Sequence, residues 1–213
     1  MTLYPGAEII IGTKNECSVG IIFEHDGGLY FTTDAHNFID ESKESKITLK
    51  NNDDYTPMDK SKRPEIATGY EEKWDNLDLA VVKISHSAVS YNFGNKSDLH
   101  FTEGRKSIKD NEDFIALKLV PQSKGRVEMK LKNFKSFGVM YDESYPEMQV
   151  IKIKPVSAGD TLAKGDSGAP VAIGKMYAGQ IIRSLSDDSG YAVLPFETLW
   201  EAVVKKYKDA KLP

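Results

Sequence analysis

A serine set between two glycines, in Gly165-Asp166-Ser167-Gly168-Ala169-Pro170, is the segment of this sequence best suited to covalent chemistry. A serine hydroxyl attacks well only when a base removes its proton and hydrogen-bond donors meet the oxyanion that forms. Flanking glycines let backbone N–H groups converge there with no Cβ in the way. The bland reading of the same hexapeptide is a tight turn entering a strand, so the rest of the chain has to decide. It holds four histidines, at 25, 36, 86 and 100, and all precede Ser167.

That order is restrictive. An α/β-hydrolase needs its histidine after its serine, and residues 165–169 are not Gly-x-Ser-x-Gly. A subtilisin-like order needs an aspartate well upstream of the histidine. Only Asp26 and Asp34 precede His36, both too close in the chain. The order His, Asp, Ser is left. His36 closes Phe31-Thr32-Thr33-Asp34-Ala35-His36, where an apolar strand runs out and its end faces a cleft. The plain alternative is a hydrogen-bonded strand-end histidine. His25 adjoins a turn and reads as a solvated loop residue, while His86 and His100 have no matching context. For the acid, Trp74-Asp75-Asn76-Leu77-Asp78-Leu79-Ala80-Val81-Val82 offers two carboxylates. An imidazole-orienting carboxylate should be shielded, so Asp78, at the mouth of the apolar run, is preferred to Asp75 in the polar lead-in.

The elements that must position these residues read as short strands. Residues 17–23 and 29–33 are apolar, β-branched or aromatic runs beside Asp26-Gly27-Gly28, a hairpin signal because glycine accepts the positive φ of a tight turn. Further strands are expected over 47–49, 79–84, 114–120, 127–131, 148–153, 169–173, 178–182 and 191–194. Many short strands and few helical periods predict an all-β sandwich or barrel. One stretch, 196–208, carries a helical stripe of Leu199, Val203, Val204 and Tyr207, with Pro195 placed to start it and lysines in its last turn. Polar segments 40–46 and 51–73 interrupt the strands. A third, 92–113, divides them into two roughly equal sets and is the expected linker.

The 213 residues are 40% hydrophobic and 28% charged, which suffices for one or two compact cores. A net charge of −4 without a basic block argues against nucleic-acid binding. Apolar runs such as Ile9-Ile10-Ile11 are too short to span a bilayer, so no membrane insertion is expected. No secretory signal is legible in the first residues. Cys17, the single cysteine, lies in an apolar run and reads as a small core residue. A disulfide-free chain of this size points to a reducing, cytoplasmic compartment or to a bacterial or viral source. The histidines and the cysteine lack metal-ligand spacing, and neither metal nor cofactor is expected.

With these residues in place, the sequence resembles the chymotrypsin-like (trypsin-like) serine protease family, in its disulfide-free bacterial or viral form. Thr33-Asp34-Ala35-His36 is similar to the family's Thr-Ala-Ala-His, and Asp78-Leu79-Ala80-Val81-Val82 to its Asp-Ile-Ala-Leu-Leu. Residues 165–170 are similar to Gly-Asp-Ser-Gly-Gly-Pro with one glycine changed to alanine. The separations of 42 and 89 residues between His36, Asp78 and Ser167 are close to the family's layout. Together the motifs span nearly the whole chain.

The resemblance implies two six-stranded antiparallel β-barrels with the active site in the cleft between them and a C-terminal helix. The first barrel would occupy 1–92 with His36 and Asp78, the linker 93–113, the second barrel 114–195 with Ser167, and the helix 196–213. It implies a serine endopeptidase that cleaves polypeptide substrates through an acyl-enzyme on Ser167, with His36 as general base and Asp78 orienting it. The N–H groups of Gly165 and Ser167 would form the oxyanion hole. A substrate strand would run along Ile182, Arg183 and Ser184 by β-augmentation. Thr161 would sit at the base of the pocket for the side chain before the cut, favouring a small or medium uncharged residue. Asp160, Asp187 and Asp188 are the acidic alternatives for that pocket, and Arg183 is the basic one.

Several positions depart from the pattern. Ile182 stands where the family often has a serine bonded to the triad aspartate. Asp166 matches the residue that pairs with a freed N-terminus in zymogens, yet no partner is evident, and Ile10-Ile11-Gly12 only faintly echoes an activation sequence. Two other functions fit the same chain: a catalytically silent protease-fold module that binds peptides or regulates a partner, and a serine esterase.

Overall fold

The computed structural model describes residues 2–50, 58–85, 90–91, 103–104, 108–109, 111–121, 127–174, 176–186 and 190–213. Its first half is built from short strands in two four-stranded sheets. One sheet runs β3 (Asn15–Ser18), β2 (Glu8–Ile11), β6 (Lys46–Leu49), β7 (Glu65–Thr68). The other runs β4 (Ile22–His25), β5 (Gly28–Thr33), β9 (Leu79–Lys83), β8 (Glu72–Trp74). A short parallel pair, β1 (Thr2–Leu3) with β10 (Ser90–Tyr91), completes it. The hairpin at Asp26-Gly27 forms as expected: both residues have positive φ, 47° and 72°, and His25 faces Gly28.

The second half is a closed six-stranded barrel in the order β11 (Asp113–Pro121), β12 (Val127–Tyr141), β13 (Gln149–Pro155), β16 (Tyr191–Pro195), β15 (Met176–Ser184), β14 (Pro170–Ile173). The architecture is all-β in two barrel halves with one C-terminal helix. In the first half, however, the strands form two four-stranded sheets that share one core rather than one closed six-strand ring. The chain changes sheet at Val19-Gly20-Ile21, which splits the single strand expected over 17–23 into β3 and β4. Isolated bonds such as Thr32 N–H to Ile21 O, 2.9 Å, hold that corner.

Alternation of side chains explains how the halves join. Val171, Ile181 and Val193 point into the second barrel, against Phe114, Phe134 and Ile153. Their neighbours Ala172, Ile182 and Leu194 point outward and belong to the core of the first half with Ile9, Phe31 and Val81. These strands are buried on both faces, which is why they read as continuous apolar runs. Helix α1 (Phe196–Lys206) covers the junction: Phe196, Leu199 and Val203 are buried, and Trp200 meets the edge of Phe23 at 5.9 Å. Val204, expected on the stripe, is only half-buried. Lys206 pairs with Glu72 at 2.6 Å, fastening the helix to the first half. No helix among the described residues is long and apolar enough to cross a membrane.

Candidate active site

The segment around Ser167 is a pair of tight turns in which most N–H groups are already used. Asp166 N–H bonds Ala163 O at 3.1 Å, Gly168 N–H bonds Ile181 O at 2.8 Å and Ala169 N–H bonds Asp166 O at 3.0 Å. Among the described residues no hydrogen bond takes up the N–H of Gly165 or of Ser167. The loop is held from the first half, since Ser18 N–H bonds Ser167 O at 2.7 Å and the Ser18 hydroxyl donates to Gly165 O at 2.7 Å. Gly168 has φ 89°, and a Cβ there would stand 2.5 Å from Ser18 O. Only glycine lets the loop approach this closely.

His36 lies in a 3₁₀ turn, Ala35–Phe38, directly after β5. Asp78 ends another, Asp75–Leu77, in the left-handed conformation (φ 48°, ψ 42°) just before β9. Because β5 and β9 pair from Thr33↔Ala80 to Tyr30↔Lys83, both residues emerge side by side from one sheet end. The Asp78 carboxylate accepts the His36 backbone N–H on Oδ1 at 2.8 Å and meets Nδ1 with Oδ2 at 2.8 Å. A carboxylate only accepts, so Nδ1 carries the proton and Nε2 of the neutral ring is left as an acceptor. The Asp78 side chain is 3% exposed and that of His36 33%, so the carboxylate is shielded while the ring stays accessible. The Ser167 hydroxyl and the His36 ring are not hydrogen-bonded to each other, and such bonds often tighten only with substrate present. Asp75 is exposed and paired with Lys73 at 3.0 Å.

A cavity of about 230 Å³ is lined by Pro155, Thr161, Ser184, Gly190 and Tyr191. Two of the residues expected to bind substrate, Thr161 and Ser184, therefore share one cavity. Asp160 is turned away from it, its carboxyl held below the usual range by the Ser157 hydroxyl and the Asn133 N–H. The Lys132 ammonium donates to the Thr161 carbonyl. Asp187 and Asp188 lie outside the described residues, as do His86 and His100.

No family model and no curated protein matches the chain. Solved structures do. A glutamic-acid-specific serine protease with a histidine triad in substrate binding aligns over 99% of this chain and 100% of its own, with TM-score 0.66 and 15% identity. Protease A of Thermobifida fusca aligns over 100% and 98% with TM-score 0.59 and 15% identity. The chymotrypsin of Cellulomonas bogoriensis aligns over 100% and 99%, also at 0.59 and 15%. The chain has the chymotrypsin fold.

Within the chymotrypsin fold the departures noted in the sequence acquire physical reasons. Ile182 is fully buried among apolar residues and offers Asp78 no hydrogen bond; both Asp78 oxygens are taken by His36 instead. Arg183 is not an open cation: Asp142 grips its guanidinium at 2.6 and 3.1 Å and Ser144 at 2.6 Å. Asp166, for which the sequence showed no partner, accepts the Ala163 N–H on Oδ2 at 2.7 Å. Ile10 and Ile11 lie inside β2, paired on both sides. His25 is not a solvated loop residue: its ring stands edge-on to Tyr207 at 5.2 Å and pairs with Asp26 at 3.3 Å. Cys17 is buried, and burial pushes its thiol up to about 12. Among the described residues no three His, Cys, Asp or Glu side chains converge to hold a metal.

Sequence reasoning missed several residues at this site. Pro155 and Tyr191 line the cavity, and the Tyr191 hydroxyl accepts the Leu162 N–H at 2.9 Å. Ser18 supports the serine loop. Asp34 is fully buried behind it, and the only signal for it was an acid standing where the resembling motif has alanine.

Proposed function

We propose that this chain is a serine endopeptidase with Ser167 as nucleophile, His36 as general base and then acid, and Asp78 as the orienting carboxylate. The observation that carries the reading is the His36–Asp78 pair, with a buried carboxylate fixing the Nδ1–H tautomer. The division into a first half bearing His36 and Asp78 and a second half bearing Ser167, joined through 93–113, belongs to the same reading; most of that joining segment lies outside the described residues.

The reaction follows from these groups. The Ser167 hydroxyl adds to the peptide carbonyl as its proton passes to His36 Nε2. Negative charge developing on the carbonyl oxygen meets the N–H groups of Gly165 and Ser167, neither of which has an acceptor of its own among the described residues. His36 returns the proton to the departing amine, the C–N bond breaks, and water repeats the sequence to release the acyl group. We assign the substrate strand to Ile182–Arg183–Ser184: β14 and the Ser167 loop bond β15 as far as Ile181, and no strand among the described residues continues that edge beyond it. Thr161 and Ser184 then receive the side chain before the cut. The test is hydrolysis of a diverse fluorogenic peptide library by the wild-type chain and by Ser167→Ala. Cleavage by the first and none by the second supports the reading; equal rates remove Ser167 from it.

A further inference from the structure

We propose that Asp34, acting through Gln180, is a positioning residue that sets His36 and Asp78 in register with the Ser167 loop. The inference rests on the triad assignment above and adds to it a group that touches none of the reacting atoms. Asp34 comes two residues before His36, and both Asp34 and Gln180 are fully buried. Gln180 faces Pro170 across the β14–β15 pair, three residues past Ser167. The Gln180 Nε2 amide donates to Asp34 Oδ1 at 2.7 Å, so this hydrogen bond links the two halves from the residue two before His36 to the strand partner of Pro170.

The orientation of that bond is fixed from behind. Ile21 N–H donates to the Thr32 hydroxyl at 2.9 Å, which leaves the hydroxyl proton for Gln180 Oε1 at 2.6 Å. The Gln180 amide can then turn only its NH₂ toward Asp34. The relay fits because residue 20 is glycine: a Cβ there would stand 2.3 Å from Gln180 Oε1 and 2.5 Å from the Thr32 hydroxyl.

The chemistry of Asp34 suits a neutral hydrogen-bonding link rather than a charge. Burial holds its carboxyl well above the usual range, and the Asp78 charge pushes the same way. Hydrogen bonding from Gln180 and from the Gly168 N–H opposes them. Oδ2 has no partner among the described residues, a place that would be costly for an ionised oxygen. The Cys17 thiol is a further titratable group within electrostatic reach of Asp34.

The experiment compares wild type, Asp34→Ala and Asp34→Asn by the rate at which a fluorophosphonate labels Ser167, by kcat and KM on a fluorogenic peptide, and by melting temperature. Asp34→Ala is expected to slow labelling and kcat by roughly tenfold to a hundredfold at nearly constant KM, the scale of a small misplacement of reacting groups. Asp34→Asn keeps an uncharged acceptor for Gln180 and is expected to recover most of the rate. A merely structural role would lower melting temperature while leaving kcat per folded molecule unchanged. Asp34→Ala at the wild-type rate, or Asp34→Asn falling as far as Asp34→Ala, overturns the proposal. A wild-type chain that the probe never labels overturns the triad assignment and this inference together.

Discussion

One carboxylate holds one histidine at two points: Asp78 Oδ1 accepts the His36 backbone N–H and Oδ2 meets the ring Nδ1, each at 2.8 Å. An amide in place of the carboxylate keeps only one acceptor and turns an NH₂ toward one of these donors. Asp78→Asn is therefore expected to lower turnover by about 10⁴-fold through the wrong tautomer. Asp75→Asn, at an exposed residue paired with Lys73, is expected to leave turnover unchanged. Steady-state kinetics of the two variants decide it, and the reversed pattern would make Asp75 the acid.

Gly168 separates backbone strain from crowding. Gly168→Ala places a Cβ 2.5 Å from Ser18 O and 2.7 Å from the Thr33 hydroxyl at φ 89°. It is expected to cost about 1–3 kcal/mol for the conformation, and more for the clash. Gly27→Ala, at φ 72° with nothing within 4 Å, should show the conformational cost alone, about 1–2 kcal/mol. Urea unfolding measures both; equal losses would mean that the serine loop is free to move away from Ser18.

How far the sequence carried this reading differs from element to element. The Asp26-Gly27 hairpin, the helix beginning after Pro195 and the strands of the second barrel were legible because turn chemistry and apolar runs are local signals. Strands β7 and β8 were not: β7 has only the buried pair Ile66-Ala67 between polar residues and β8 three half-buried residues, in or beside a stretch that reads as polar. Nor was the second part of β12, whose Phe137, Val139 and Tyr141 alternate outward into solvent with Ser136 buried among them. The proposed triad of His36, Asp78 and Ser167 was chosen on residue order and flanking chemistry alone. Ile182 facing a core and Arg183 facing Asp142 could not be read in that way, because both depend on residues about 40 or more positions away.

Asp34 gives the fold a signed response to pH. Its folded-state carboxyl lies well above the ordinary value of 3.8, chiefly through burial and next through Asp78. The unfolded chain therefore releases this proton first, so the contribution of Asp34 to stability is complete below about pH 3.8 and is lost as pH rises through the folded value. Asp34→Asn removes that loss. Melting curves across a pH series should show the advantage of Asp34→Asn over wild type growing from acid toward neutral pH. Parallel curves would mean that Asp34 ionises normally.

The cavity at Thr161 predicts which bonds are cut. Its lining of Pro155, Thr161, Ser184, Gly190 and Tyr191 carries no charge, Asp160 faces elsewhere, and the Lys132 ammonium sits on the Thr161 carbonyl. A buried cation would meet no compensating anion among these groups. Cleavage is expected after small or medium uncharged side chains. Mass-spectrometric profiling of digested proteome peptides reads the preference, and strong cutting after Arg or Lys would show that an aspartate reaches the pocket.

The most direct measurement is covalent labelling of the native chain with a fluorophosphonate, followed by mass spectrometry of the labelled peptide. The adduct is expected on Ser167 alone. It should be lost in Ser167→Ala at an unchanged melting temperature, because only one hydroxyl at the surface of the loop is removed. A native, folded chain that stays unlabelled, or carries the label on another serine, would contradict the assignment of Ser167 as an activated nucleophile.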